Sequence, residues 1–329
     1  MTTIAYHASH EQFAPSALLK WVQSAESAGF DAIHSSDHFH PWSVRQGQSG
    51  FSFSWLGAAM QATSLPFSVV CAPGQRYHPA IVAQAVATLS EMFPDRFSVE
   101  LGSGEALNEC ITGEDWPAKE KRQQRLFESA RVIQKLLKGE KVSYEGLIKI
   151  KNAKLYSRPV KPPRVFAAAL SLETSEWAGQ WADGLLTIAG DANDITAKMN
   201  AFRKNGGANK PVFVQFSFSY GPFPQALDEA YEQWRSNLVS IEKLESFSQP
   251  EEFDLATQHL SKEEVKEKIN FVENMDALFE KIQFCFECDV DRIILHNVNS
   301  MQDRFIEDFK KYKARHQLNA AFYSEERNR

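Results

Sequence analysis

The segment Ser35-Ser36-Asp37-His38-Phe39-His40-Pro41-Trp42 sets an acid, a potential proton acceptor and a flat aromatic wall within six residues. It follows a short apolar run, Ala32-Ile33, and in an α/β chain the residues leaving a strand usually carry the chemistry. A second such place is Gly102-Ser103-Gly104-Glu105-Ala106-Leu107-Asn108-Glu109, directly after the strand-like Phe97-Ser98-Val99-Glu100-Leu101. Its two glycines let backbone approach a ligand closely, and Glu105 is delivered at the strand's end. Taken alone, that turn reads as a tight loop with a solvated carboxylate. In a barrel, both strands empty onto one face, so Asp37, His38 and Glu105 converge on one pocket with Trp42.

A metal is the first chemistry to weigh. On a strand, His38 and His40 project to one face, as in zinc hydrolase barrels. The nine histidines stand at 7, 10, 34, 38, 40, 78, 259, 296 and 316, so none lies between His78 and His259. Strands five and six then offer no imidazole, and no metal is expected. Cys285-Phe286-Glu287-Cys288 has redox or zinc spacing but no second pair, and it falls late in a helical pattern. A reactive thiol pair wants a helix N-terminus, so these are read as structural thiols.

The elements that must position these groups alternate along the chain. Strands are expected at Ile4 to His7, Ala32 to His34, Phe67 to Val70, Phe97 to Leu101, Val165 to Ala168, Leu185 to Ile188, Val212 to Phe218 and Arg292 to Leu295. Helices are expected from Pro15 to Gly29, Trp55 to Gln61, from Pro79, Leu126 to Leu137, Ser175 to Ala182, and through Phe305, Phe309 and Tyr312. A polar hairpin runs near Val142 to Ile150. The charged stretch Glu242 to Lys268 reads as a solvated helical face, or else a lid. Trp177 and Trp181, four apart, are expected to pack on the barrel, and His296 is either a core histidine or a contact to a phosphate.

About eight strands with helical crossovers specify a closed parallel (β/α)8 TIM barrel, one domain over residues 1–329, with insertions after strands 4 and 7. A doubly wound sheet would want a glycine-rich turn after the first strand, where this chain has Ala8-Ser9-His10-Glu11. Of the 329 residues, 43% are hydrophobic and 24% charged, and the net charge of −6 leaves no basic field for nucleic acid or an anionic membrane. Met1 to Gln12 lacks the marks of a signal peptide, and no apolar run approaches the roughly 20 residues of a membrane helix. A cytoplasmic protein is expected.

Ser36-Asp37-His38-Phe39-x-Pro41-Trp42, Ser54-Trp55-Leu56-Gly57, Arg76-Tyr77-x-Pro79-Ala80 and Gly104-Glu105-Ala106-Leu107-Asn108-Glu109 together resemble the luciferase-like flavin/deazaflavin oxidoreductases. The branch they look most like is the coenzyme F420-dependent glucose-6-phosphate dehydrogenase group. The likeness begins at Ala8-Ser9-x-Glu11-Gln12-Phe13 and weakens after residue 200. It implies a ring bound at the C-terminal face of the barrel, usually in a homodimer, and a small-molecule substrate. It implies that His38 exchanges the hydroxyl proton as hydride passes, that Glu105 supplies the second acid/base group, and that Trp42 orients the reacting group. Asp37, Ser103, Gly104 and Asn108 would line the cofactor site. Val69 and Val70 would form a strained bulge behind the ring, with a cis peptide, or else an ordinary buried strand.

Two departures matter. Where related sugar-phosphate enzymes have a Gly-Gly pair for the cofactor phosphate, this chain has Ala168-Ala169-Leu170-Ser171. Ser171 can still cap a helix and bond a phosphate oxygen beside Ala169, but Leu170 alters the path of the cofactor tail. The turn looks like a side branch that uses FMN, so FMN is favoured over F420. The family's substrate-phosphate lysine falls at Asp191, which repels a phosphate, so glucose 6-phosphate is not the expected substrate. The resulting expectation is an FMN-dependent oxidoreductase acting on a small alcohol or carbonyl. Its alternatives are an F420-dependent dehydrogenase or reductase, an FMN-dependent monooxygenase served by an external flavin reductase or electron donor, and a catalytically silent flavin-binding protein.

Overall fold

The computed structural model describes the backbone of residues 2–327 and the side chains of residues 2–316. Its strands are β1 (Thr3–Ala8), β2 (Ala32–Ser36), β3 (Phe67–Cys71), β4 (Phe97–Leu101), β5 (Val142–Glu145), β6 (Lys149–Ala153), β7 (Val165–Ala168), β8 (Leu185–Ile188), β9 (Val212–Tyr220), β10 (Asn270–Val272) and β11 (Arg292–Asn297). Eight of them pair in parallel in the order β1-β2-β3-β4-β7-β8-β9-β11, and β11 returns to β1 to close a (β/α)8 barrel. The antiparallel β5–β6 hairpin is the insertion after the fourth barrel strand, and β10 with three short helices belongs to the insertion after the seventh.

Local sequence explains where the elements start and stop. Pro15 opens the first helix at a position that needs no N–H, and Gly29 ends it in the left-handed region at φ 88°, bonding back to Ala25 and Glu26. Pro79 opens the helix Pro79–Met92, capped by the His78 ring, which accepts from the Ala80 N–H. The helix Lys119–Leu137 begins seven residues before its expected start. Its first two turns are charged or amidic, so they show no apolar period, although Arg122 and Arg125 are buried. The stretch from Glu242 to Lys268 is itself helical, as Ile241–Ser246, Pro250–Thr257 and Lys262–Lys268.

Alternation along the strands sends one set of side chains outward and one inward. Ile33, Val69, Val99, Leu101, Val214 and Leu295 face the helical shell in the main apolar core. Inside the barrel, apolar packing is a small plug of Ala5, Ala32, Phe166, Leu186, Phe213 and Ile294. Two positions further along the strands the interior turns polar, with His7, His34, Glu100 and His296 all buried. That polar layer lies beneath the C-terminal mouth, where the loops carry the candidate site.

The Val69–Val70 bulge is not formed. β3 keeps unbroken register with both neighbours, Ser35↔Val69 and Val70↔Glu100 among the pairs, and its peptide is trans. Two hydrogen-bonded neighbours hold the strand regular.

Candidate active site

The loops after β2, β3 and β4 bring the sequence-marked groups together. Asp37 has no exposed side-chain surface; Ser52 Oγ donates to its Oδ1 at 2.6 Å, and Arg76 Nη2 donates to its Oδ2 at 2.8 Å. Arg76 also donates its backbone N–H to Glu109 Oε2 at 2.7 Å, and its Nε lies 3.5 Å from Oε1 of the same carboxylate. One buried guanidinium thus balances two buried acids. Such pairing is what makes burial of the acids tolerable. Burial still pushes the Glu109 carboxyl up, with Arg76 opposing it.

Asn108 organises the proton-handling groups. Its Oδ1 accepts from the backbone N–H groups of Phe39 and His40 at 2.8 and 3.2 Å, which fixes the amide's orientation. Its Nδ2 then faces His38 Nδ1 at 3.0 Å and Glu105 Oε2 at 3.2 Å. His38 lies beside Trp42, ring centroids 5.2 Å apart. His40 turns away, its Nδ1 lying 2.8 Å from the Leu107 carbonyl, so the two histidines do not share a face. Burial pushes the Glu105 carboxyl up, and His38 and the Asn108 amide return only part of that shift.

Gly104 makes the turn after β4 possible. It sits at φ 82°, and a Cβ there would meet Glu109 Cγ at 2.9 Å and Ala72 Cβ at 3.2 Å. The backbone therefore passes close to the acid cluster, and a polar recess of about 70 Å³ forms among Asp37, His38, Arg76, Glu105, Asn108 and Glu109. Next to it lies a cavity of about 260 Å³, and both spaces are lined by Val70, Gly102, Gly104 and Glu105. The larger cavity has apolar walls of Leu126, Leu170, Trp177, Leu186 and Ile188, with Lys119, Gln123, Ser171 and Thr174 among its polar groups. Ser103 and Ala169 also line it. Ser171 caps the helix Leu172–Ala178, accepting from the Thr174 N–H at 3.2 Å. Leu170 stands 46% exposed.

One placement corrects the sequence reading and three narrow it. Val69 points outward, fully buried in the shell, because strand alternation gives only Val70 to the cavity. Trp177 packs on Trp181 at 5.4 Å but also lines the cavity. His296 is a barrel-interior histidine, its ring 4.1 Å from that of His7. The stretch after Ser240 is no merely solvated face. Ile241, Leu244 and Glu245 line the cavity, Phe253 is fully buried 5.5 Å from Trp42, and Arg122 pairs with Glu245.

Sequence reasoning quoted Glu11 within a motif but gave it no role, missed Arg76 as the balancing cation, and missed Ser52, Lys119 and Gln123 altogether. Arg76 was visible only as part of a motif, since its partners lie 39 and 33 residues away. Glu11 is buried after β1, where Ser36 Oγ donates to it at 2.9 Å. Burial pushes its carboxyl up, but His38, His7, a backbone N–H and Ser36 together bring it below the ordinary value. The pair at 285 and 288 consists of free thiols, and burial pushes Cys285 up to about 12.

The fit to a planar ring bearing a phosphate is direct. An apolar slot is walled by glycine backbone, and the slot's lining also supplies a lysine, the Gln123 and Gln215 amides and the hydroxyls of Ser103, Ser171, Thr174 and Thr187. Comparison with known proteins agrees. Residues 1–283 match the family described as luciferase-like monooxygenase. The chain is 31% identical over 322 residues to an F420-dependent glucose-6-phosphate dehydrogenase of Segniliparus rotundus, covering 94% of this chain and 96% of that one. It is 32% identical over 321 residues to the enzyme of the same name from Mycolicibacterium smegmatis, covering 94% and 96%. A solved F420-dependent secondary alcohol dehydrogenase, in complex with an F420-acetone adduct, is similar in structure. It has a TM-score of 0.86 at 28% identity and covers 94% of this chain and 98% of its own. The chain belongs to the luciferase-like monooxygenase family and is an oxidoreductase.

Proposed function

We propose that this oxidoreductase passes a hydride between coenzyme F420 and a small neutral alcohol or its carbonyl counterpart. The observation that carries the reading is the polar recess of Asp37, His38, Glu105 and Asn108 opening into an apolar slot. Relatives named for F420 dependence support that ring over FMN, reversing the order favoured from the turn at Leu170. The ring, when bound, supplies the hydride acceptor or donor. Gly102 and Gly104 would give it a backbone wall, and Lys119, Gln123, Ser171 and Thr174 would hold its phosphate.

His38 and Glu105 manage the proton. Because Asn108 Nδ2 donates to His38 Nδ1, the neutral imidazole carries its proton on Nε2 and presents a donor to a substrate oxygen. Glu105, with its carboxyl raised by burial, holds a proton more readily than an exposed glutamate and stands on the other side of the same amide. Trp42, braced by Phe253, limits the rotation of His38.

The recess also argues for an uncharged substrate. Its cation, Arg76, is already shared by Asp37 and Glu109. Asp191, where the resemblance to the family would set a phosphate-binding lysine, is an acid that caps the helix Ala192–Phe202, accepting from the Asp194 N–H at 2.8 Å.

The test is a binding titration of purified protein with F420 and, separately, with FMN, followed by assays on small secondary alcohols, their ketones and glucose 6-phosphate. Tight F420 binding with turnover of a neutral alcohol or ketone is expected. Binding of neither ring would falsify the proposal. FMN is the second reading, favoured by the bulk of Leu170 at the cavity wall. Tight FMN binding without F420 binding selects it, and oxygen uptake with reduced flavin then marks a monooxygenase.

A further inference from the structure

Beneath the site, the barrel interior holds a column of titratable groups that the reaction above does not use. His7 from β1 and His34 from β2 face each other with 2.8 Å between their Nδ1 atoms. On the other side of His34, Nε2 lies 3.9 Å from Glu100 Oε2, both side chains having no exposed surface. Neither oxygen of Glu100, nor Nε2 of His34, has any hydrogen-bond partner. At 3.9 Å the two are neighbours short of a hydrogen bond, and a relay between them requires the carboxyl to turn toward Nε2. An unpartnered buried carboxylate is costly, and the cheaper form is the neutral acid.

The groups around Glu100 come from every neighbouring strand. β3 contributes the Ser68 hydroxyl, also unpartnered, and Cys71 at its end. β7 places Phe166 opposite it in register and offers no titratable group there. Arg292, from β11, is the nearby cation, its guanidinium stacked 4.4 Å over Phe213. His296, also from β11, lies against His7 with the two rings tilted, and its Nδ1 is 3.1 Å from Gln215 Nε2. Gln215 lines the ring cavity, so the column reaches the floor of the site.

Resting on the hydride-transfer reading, we propose that Glu100, His34 and His7 form a buried proton relay, with Glu100 the terminal store, that exchanges one proton with the active site. Hydrogen-bond logic fixes its polarity. A protonated Glu100 donates to His34 Nε2, so the neutral His34 carries its proton on Nδ1 and donates to His7 Nδ1, which leaves His7 with a proton on Nε2. In carbonyl reduction the Glu100 O–H bond breaks and His34 Nε2 gains that proton. The Nδ1 proton of His34 passes to His7, and His7 releases its Nε2 proton toward the Glu11 carboxylate. Glu11 lies in the field of both His7 and His38. Glu100 is left as a carboxylate facing Arg292, and alcohol oxidation runs the same transfers backward. No electrons move in the relay. Burial pushes the Glu100 carboxyl up to about 8, with the Ser68 hydroxyl and Arg292 opposing it, while His7 and His34 are held well below the ordinary imidazole value by burial first, then by the neighbouring imidazoles and, for His34, Arg292, so the column rests neutral.

The experiment has two arms. In unliganded protein, the infrared carbonyl stretch of a buried carboxylic acid, followed against pH, is expected to fade through about 8 and to be missing in Glu100→Gln. In the loaded enzyme, wild-type carbonyl reduction is expected to slow as pH rises through the same range. Glu100→Gln should be slower by about tenfold below it, with KM unchanged and the pH limb flattened. Should Glu100→Gln fail to fold, His34→Gln breaks the relay in the middle and must flatten the same limb. No acid band in the wild type overturns the proposal, as does a variant profile that superimposes on the wild type while hydride transfer persists. Absence of hydride transfer in the wild type, with the acid band intact, overturns the functional reading and the relay with it.

Discussion

The Asn108 amide nitrogen stands 3.0 Å from Nδ1 of His38, and its oxygen is tied to two backbone N–H groups, so the contact has one sense. A side chain in the short helix Ala106–Glu109, beyond the end of β4, thereby sets the tautomer of a histidine on the β2 loop. Asn108→Ala is expected to lower kcat by about 10–100-fold with little change in KM, because orientation and tautomer are lost while the pocket remains. Asn108→Asp, which presents an acceptor to His38 Nδ1, should move the pH profile instead. Steady-state kinetics across pH separates the two; a rise in KM alone would show that Asn108 serves substrate binding.

Arg76 carries a different burden. It is the cation between Asp37 and Glu109, whose side chains are 0% and 1% exposed. Arg76→Ala leaves two buried acids unbalanced, and such truncations cost about 3–5 kcal/mol. Urea denaturation should read that loss, with Arg76→Lys recovering part of it because a point charge cannot replace the planar fork.

Glu100 makes a signed prediction about stability. Its carboxyl sits at about 8 in the fold against an ordinary 4.5, so the unfolded chain releases the proton first as pH rises. The contribution of Glu100 to stability is full below about 4.5, declines between there and about 8, and is flat above. At about 1.4 kcal/mol per pKa unit, the decline amounts to a few kcal/mol. Glu100→Gln should therefore gain on the wild type in Tm as pH rises through that window, and a constant Tm difference would refute the shift.

Phe253 is the anchor of the segment over the site. It is fully buried, 5.5 Å from Trp42 and 5.1 Å from Phe247. Phe253→Ala should destabilise by about 3–5 kcal/mol if the segment unfolds with the barrel. A smaller loss accompanied by a raised KM would mean that the segment opens on its own, and hydrogen exchange over residues 241–257 would register it.

Legibility differed between elements for physical reasons. The barrel strands were readable because each is a short apolar run between turn signals, and the helices beginning at Pro15 and Pro79 announce themselves by proline. The charged start of the helix Lys119–Leu137 hid from periodicity, since buried Arg122 finds partners for its terminal nitrogens in the Pro117 carbonyl and Glu245. The packing of the segment over the site was not legible because its charged residues dominate composition, while a few apolar side chains, Leu244, Phe247 and the fully buried Phe253, do the anchoring.

The sequence by itself determined the closed parallel barrel, and it marked Asp37, His38, Glu105 and Asn108 as loop residues of two strands. Strand period and turn residues are local, so one chain suffices to read them. Only the tertiary structure decided which acid met which base. Arg76 between Asp37 and Glu109, Asn108 between His38 and Glu105, and Glu100 against His34 all join residues from different loops or strands. Closing the barrel sets those distances, and with them the charge and proton position of each group.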